Sequence, residues 1–234
     1  MVRAYLFLAV FIPLTLIFAA SALICTFFDN SGRVYAMHAR LWSRISLRIA
    51  GVRVRIQGLE HIPEGPVIFM SNHQSNFDIL TMIAHIPQQI HWIAKKELFD
   101  YPVFGASMRR GGYIPLDRSD GRKALKSMEN AARIIRSGKS VVMFPEGTRT
   151  RDLKLLPFKR GGFMLAQKAG VPVVPVTING SGRINPAGRK MLHPGIISVT
   201  LHPAIMPDNN LSRNEAENRL QEKVHSSISS ALES

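Results

Sequence analysis

The sequence predicts an α/β fold: a mixed, largely parallel sheet flanked by helices, preceded by a hydrophobic helix and an amphipathic helix at the N-terminus. Three observations carry this expectation. Short apolar runs such as Pro66–Met70 and Ser140–Phe144 read as buried strands. Such runs alternate with segments of helical periodicity, as in Ser119–Ser137, where Leu125, Met128, Ala132 and Ile135 share one face ahead of the stop at Gly138. Residues 4–28, 25 in all, carry no charge.

Taken in order, the uncharged run is long enough to cross a bilayer core of about 30 Å at about 1.5 Å per residue. Pro13 is a candidate kink. A cleaved leader is the competing reading, because Arg3 precedes the run and Ala20-Ser21-Ala22 resembles a cleavage site. The length of the run and the basic segment after it favour a retained anchor. In that segment, Ser31–Ala50, Arg33, Arg40, Arg44 and Arg48 form one helical stripe, beside an apolar stripe of Met37, Leu41, Ile45 and Ile49. Such a helix suits an anionic lipid surface. Residues 1–50 are therefore expected to be membrane-anchoring helices and 51–234 an α/β domain. Positive charge after the first helix favours the cytoplasmic side for the bulk of the chain.

Within the domain, Val52–Ile56 alternates like a half-exposed strand. Ile90–Ala94 is a short strand, Lys95–Phe99 a loop or short helix, and Gly112–Arg118 a strand. Phe163–Ala169 reads as a helix stopped by Gly170. Val171–Ile178 is extended, and Pro172 and Pro175 predict an irregular or edge position for it. Ile196–Leu201 is a further strand. Ser212 and Glu215 form a capping box for a last helix carrying Ala216, Leu220, Val224, Ile228 and Leu232.

Thirty Lys plus Arg against 16 Asp plus Glu give a net charge of +14, which points to a polyanionic partner. Aromatic residues are not interleaved with the basic ones, which argues against nucleic acid. Cys25 is the single cysteine and lies in the apolar run, so it offers no disulfide and no cysteine metal site.

The chemistry concentrates at Ser71-Asn72-His73-Gln74-Ser75-Asn76-Phe77-Asp78, where a strand hands over to a helix. On one continuous helix, residues five apart point about 140° away from each other. His73 and Asp78 can meet only if His73 lies in the turn and Asp78 in the first helical turn, with Ser75 or Asn76 as N-cap. Asp78 would then fix the tautomer of His73 and leave its other nitrogen free as a general base. The bare H-x4-D spacing is weak evidence in a chain with eight histidines. Three further segments carry polar groups suited to a phosphate: Asp117-Arg118, Glu146-Gly147-Thr148-Arg149, and Lys159-Arg160-Gly161-Gly162. Gly147 permits close backbone approach. Glu146 reads either as a partner for an acceptor hydroxyl or as a support for Arg149.

Four blocks in order, residues 72–78 (NHQSNFD), 112–118 (GYIPLDR), 144–149 (FPEGTR) and 171–176 (VPVVPV), give the chain a close resemblance to the 1-acyl-glycerol-3-phosphate acyltransferase family. The resemblance spans roughly residues 59–205. It implies His73 as general base and Asp78 as its partner, with Arg118, Glu146, Gly147, Thr148 and Arg149 in the blocks that bind the acceptor. It also implies a lysophosphatidate acceptor in an anionic membrane and an acyl-carrier protein or acyl-CoA as donor. A thioester is already activated, so neither metal nor cofactor is implied. Pro115, Thr150 and Asn76 depart mildly from the family pattern and leave chain-length preference open. Rival readings are another lysophospholipid or glycerol-3-phosphate as acceptor, a lipid hydrolase, and a non-catalytic membrane-binding module.

Overall fold

Residues 1–29, 31–117 and 119–233 are described by the structure, a computed structural model. Arg118, expected to bind the acceptor, lies outside the described residues. The chain begins with helix α1 (Val2–Cys25) and continues through α2 (Arg33–Ala50), β1 (Val52–Gln57), β2 (Ile68–Ser71) and α3 (Phe77–His85). Next come β3 (Ile90–Lys95), a 3-10 turn (Lys96–Asp100), α4 (Pro102–Arg110), β4 (Ile114–Leu116), α5 (Gly121–Arg136) and β5 (Ser140–Met143). The last elements are α6 (Gly161–Ala169), β6 (Val173–Asn179), α7 (Ser181–Ile184), β7 (Gly195–Leu201) and α8 (Arg213–Ser230).

Among the described residues, seven strands form one sheet in the order β1-β7-β6-β2-β5-β3-β4. Every pairing is parallel except β6 with β7. The mixed sheet has a core on each face, as expected for strands covered on both sides. Phe69, Val142, Val174 and Ile178 pack with Leu47, Phe77 and Leu80 of α2 and α3. Ile68, Met70, Val141 and Met143 pack on the other side with Ala132, Phe163, Leu220 and Val224 of α5, α6 and α8.

Three local expectations change. The β6 segment is not at an edge: it lies between β7 and β2, and all seven of its residues are buried. Its Pro175 is tolerated because it sits just beyond the last antiparallel pair, Val176 with Leu201. There the Pro175 carbonyl still accepts from His202 N–H at 2.9 Å, and only one ladder donor is lost. Helix α4 was not expected. Pro102 starts it at a position where a missing N–H costs nothing. In α2, Arg40 donates to the carbonyls of Ile86 and Pro87 at 2.9 and 3.0 Å, and Arg44 to Ala84 at 3.2 Å. Part of the basic stripe therefore caps the C-terminus of α3, while Met37, Leu41 and Ile49 of the apolar stripe are exposed.

Helix α1 is long and apolar enough to cross a membrane, yet it lies antiparallel along α2. Arg3 donates to the Ala50 carbonyl at 2.9 Å, the Phe11 and Trp42 rings are 5.5 Å apart, Trp42 donates to Thr15 Oγ1 at 3.0 Å, and Ser21 meets His38 at 3.2 Å. Its opposite face, including Leu6, Leu8, Val10, Leu16 and Ile17, is exposed.

Candidate active site

Strands β2 and β5 are parallel neighbours with Met70 opposite Met143. Three residues beyond each, His73 and Glu146 leave the sheet side by side. The two loops are then sewn together. His73 N–H donates to Glu146 Oε1 at 2.6 Å, Leu156 N–H donates to Oε2 at 2.9 Å, and Thr150 N–H donates to the His73 carbonyl at 2.9 Å. Asn72, fully inside, extends the β6 ladder with its side chain: Oδ1 accepts from Ile178 N–H at 2.7 Å and Nδ2 donates to the Ile178 carbonyl at 2.8 Å. Only after this anchor does the chain turn.

The turn brings His73 Nδ1 to 2.8 Å from Asp78 Oδ2. The same oxygen accepts from the backbone N–H groups of Gln74 and Ser75, each at 2.8 Å. Asp78 is fully buried, and its Oδ1 has no partner among the described residues. Asn76 occupies the N-cap position, but its side chain makes no cap bond; Ser75 Oγ accepts from Phe77 N–H at 3.2 Å instead. The face of the His73 ring lies flat on Phe144, with centroids 3.7 Å apart and planes 4° from parallel. One edge of the imidazole is thus held by a carboxylate and one face by an aromatic ring, which leaves Nε2 on the accessible side.

Burial pushes the Glu146 carboxyl up to about 7, reinforced by the nearby Asp78 and opposed by the N–H groups of Leu156 and His73.

His73 opens onto a cavity of about 450 Å³. Its lining is largely apolar, with Phe18, Trp42, Ile83, Trp92, Phe104 and Met108 among its residues, so α1, α2 and α4 roof a site that the sheet alone would leave open. Near His73 the lining turns polar: Asn76, Lys95, Gly147, Thr148 and Arg149. Arg149 has no hydrogen-bond or ion-pair partner among the described residues. Gly147 adopts φ +71°, a backbone conformation that favours glycine. Arg160, by contrast, is paired with the buried Glu217 at 2.6 Å.

The expected site residues His73, Asp78, Glu146, Gly147, Thr148 and Arg149 thus converge at adjacent strand ends. Three contributors were not singled out from sequence: Phe144 under the imidazole, Lys95 at the end of β3, and the cavity-facing residues of α4. The position of β3 beside β5 explains Lys95. Phe144 was already visible as the last residue of an apolar strand run immediately before the Glu146 turn.

A His–carboxylate pair on a largely apolar cavity, with Lys95 and Arg149 in its polar lining, is the arrangement of a site suited to transfer of an apolar group. Residues 53–179 match the family model described as Acyltransferase. A chloroplastic 1-acyl-sn-glycerol-3-phosphate acyltransferase of Brassica napus is 39% identical over 191 residues, covering 80% of this chain and 55% of that protein. The Pseudomonas aeruginosa 1-acyl-sn-glycerol-3-phosphate acyltransferase is 32% identical over 188 residues, 78% of this chain and 72% of that one. The crystal structure of the 1-acyl-sn-glycerophosphate (LPA) acyltransferase PlsC from Thermotoga maritima superposes with a TM-score of 0.82 at 26% identity, over 98% of this chain and 96% of that chain. The chain belongs to the 1-acyl-sn-glycerol-3-phosphate acyltransferase family. It spans about half the length of the chloroplastic relatives it matches.

Proposed function

We propose that this protein transfers an acyl chain from an acyl thioester to the 2-hydroxyl of 1-acyl-glycerol-3-phosphate, giving phosphatidic acid. The observation that carries the reading is the His73–Asp78 pair, 2.8 Å apart, at the polar mouth of the apolar cavity. His73 Nε2 takes the proton of the acceptor hydroxyl as its oxygen attacks the thioester carbonyl. Asp78 holds the Nδ1 proton and stabilises the imidazolium. The tetrahedral intermediate collapses, the C–S bond breaks, and the leaving thiolate takes the proton from His73.

The N–H groups of residues 73, 74, 75 and 77 are committed to Glu146, Asp78 and Ser75. In this turn the Asn76 N–H is left as the donor for the oxyanion. Arg149, whose guanidinium fork suits a phosphate monoester, receives the acceptor's phosphate together with Lys95 and Thr148. Arg118 joins them on the strength of its motif. The apolar cavity takes an acyl chain.

Residues 1–50 form the membrane-seating part and 51–234 the catalytic domain in this reading. The exposed apolar face of α1 and the exposed Met37, Leu41, Phe27 and Phe28 support immersion in one leaflet, and the arginines of α2 favour the cytoplasmic face. The donor is an acyl-carrier protein or acyl-CoA, both anionic, and the net charge of +14 favours either.

The test crosses both thioester donors with lysophosphatidate, lysophosphatidylcholine and glycerol-3-phosphate, using the purified full chain. Phosphatidate from lysophosphatidate is the expected product. Preferential acylation of another acceptor, or release of free fatty acid, overturns the proposal.

A further inference from the structure

We propose that Glu146 is a positioning residue: its carboxylate clamps the backbone of His73 and so sets where the imidazole stands, and it does not contact the acceptor. The inference rests on the reading of His73 as the base.

Three observations support it. Both carboxylate oxygens are already engaged by backbone N–H groups, Oε1 by His73 at 2.6 Å and Oε2 by Leu156 at 2.9 Å. The residue is only 2% exposed and is not among the residues that line the cavity, so a substrate hydroxyl in the cavity does not meet it. Its loop also holds His73 twice more, through Thr150 N–H to the His73 carbonyl at 2.9 Å and through the Phe144 ring stacked on the imidazole. Both backbone polar groups of His73 and one face of its ring are therefore fixed by one short segment, residues 144–156. Asp78 fixes the Nδ1 edge. A carboxylate placed indoors beside a second carboxylate is unfavourable by itself. Its position follows if two inward-pointing N–H donors need one acceptor that bridges two strands' loops.

Replacement by Gln tests this. A glutamine keeps the shape but offers one oxygen and one NH2, so one of the two N–H donors must face another donor. Glu146→Asp keeps the charge and shortens the reach by one methylene, so it cannot bridge both. For the full chain in mixed micelles, both variants are expected to lose about 10- to 100-fold in kcat, since small misplacement of a catalytic group has effects of that size. KM for lysophosphatidate is expected to stay within about threefold. A rise in KM with kcat retained identifies an acceptor contact and overturns the proposal; unchanged kcat overturns it too.

A second measurement needs no variant. Amide hydrogen exchange of the 72–76 segment in the wild-type chain, with and without saturating lysophosphatidate, reports the His73 N–H bond to Glu146. Protection that holds or rises on acceptor binding supports the clamp, whereas protection that falls shows Glu146 being recruited away. His73→Ala, assayed alongside, separates the two levels. Retained turnover in that variant sinks the assignment of the base, and loss of turnover there with a KM-only effect at Glu146 sinks the clamp alone.

Discussion

Asp78→Asn is the most informative single perturbation of the site. Asp78 Oδ2 accepts three N–H groups, from His73, Gln74 and Ser75, all at 2.8 Å, while Oδ1 is buried without a partner among the described residues. Asparagine fits in one orientation, with its oxygen in the place of Oδ2 and its NH2 in the place of Oδ1. The three donors keep their acceptor, so the turn persists. The new NH2 is orphaned, which costs about 1–3 kcal/mol. For a chain of this size that corresponds to a fall of roughly 2–12 °C in Tm. The larger effect is on rate. In the proposed mechanism the negative charge that stabilises the imidazolium disappears, and general-base assistance contributes about 10²- to 10⁴-fold. A loss of kcat near 10³-fold, or about 4 kcal/mol of transition-state stabilisation, is expected. The assay is initial-rate phosphatidate formation at saturating donor and acceptor, beside a thermal unfolding scan. A folded Asp78→Asn protein with kcat within tenfold of wild type would refute the reasoning, because proton abstraction would then not depend on this carboxylate.

Other perturbations read other parts of the site. Arg149→Met should raise KM for lysophosphatidate about 10- to 100-fold, as befits a lost charge-assisted hydrogen bond, with much less effect on KM for the thioester; initial-rate kinetics varying one substrate at a time checks this. Glu146 has a folded pKa of about 7 against an ordinary value of 4.5. Its neutral form is therefore favoured by folding, and its contribution to stability declines as pH rises from about 4.5 through 7, by on the order of 3 kcal/mol. The histidines whose folded pKa burial lowers, His85, His91 and His202, shift stability the other way, so denaturant titrations at pH 5 and pH 8 should show wild type losing more stability, or gaining less, than Glu146→Gln as pH rises. Leu16→Glu with Ile17→Glu places two charges on the exposed face of α1; co-sedimentation with phosphatidylglycerol vesicles should fall severalfold while turnover of water-soluble short-chain substrates persists.

Much of the site was legible because the chemistry sits on contiguous motifs at strand ends. The five-residue spacing of His73 and Asp78 allowed a contact only across a strand-to-helix turn, and the turn has that geometry. The α/β class was legible from the alternation of apolar strands such as residues 140–143 with helices such as α5. Strand order was not. Nothing local says that β2 and β5 adjoin with Met70 opposite Met143, and that register alone puts Glu146 under the His73 backbone. Pro175 misled for a related reason: a proline signals a missing donor, but where the adjoining ladder ends is a tertiary fact. Helix α4 lacked a periodic signal, since Gly105, Ser107 and paired arginines interrupt its apolar residues. The seating of α1 along α2 depends on distant partners such as Arg3 with Ala50 and Thr15 with Trp42, which hydropathy does not register.

The proposed acyl transfer requires His73 to act as the base toward a lysophosphatidate hydroxyl. Its most direct test is the formation of phosphatidate from lysophosphatidate and an acyl thioester by the purified chain, compared with a folded His73→Ala variant under the same conditions. Turnover by the wild type and at least about a thousandfold loss in the variant is the expected result. Comparable phosphatidate formation by both proteins would contradict it.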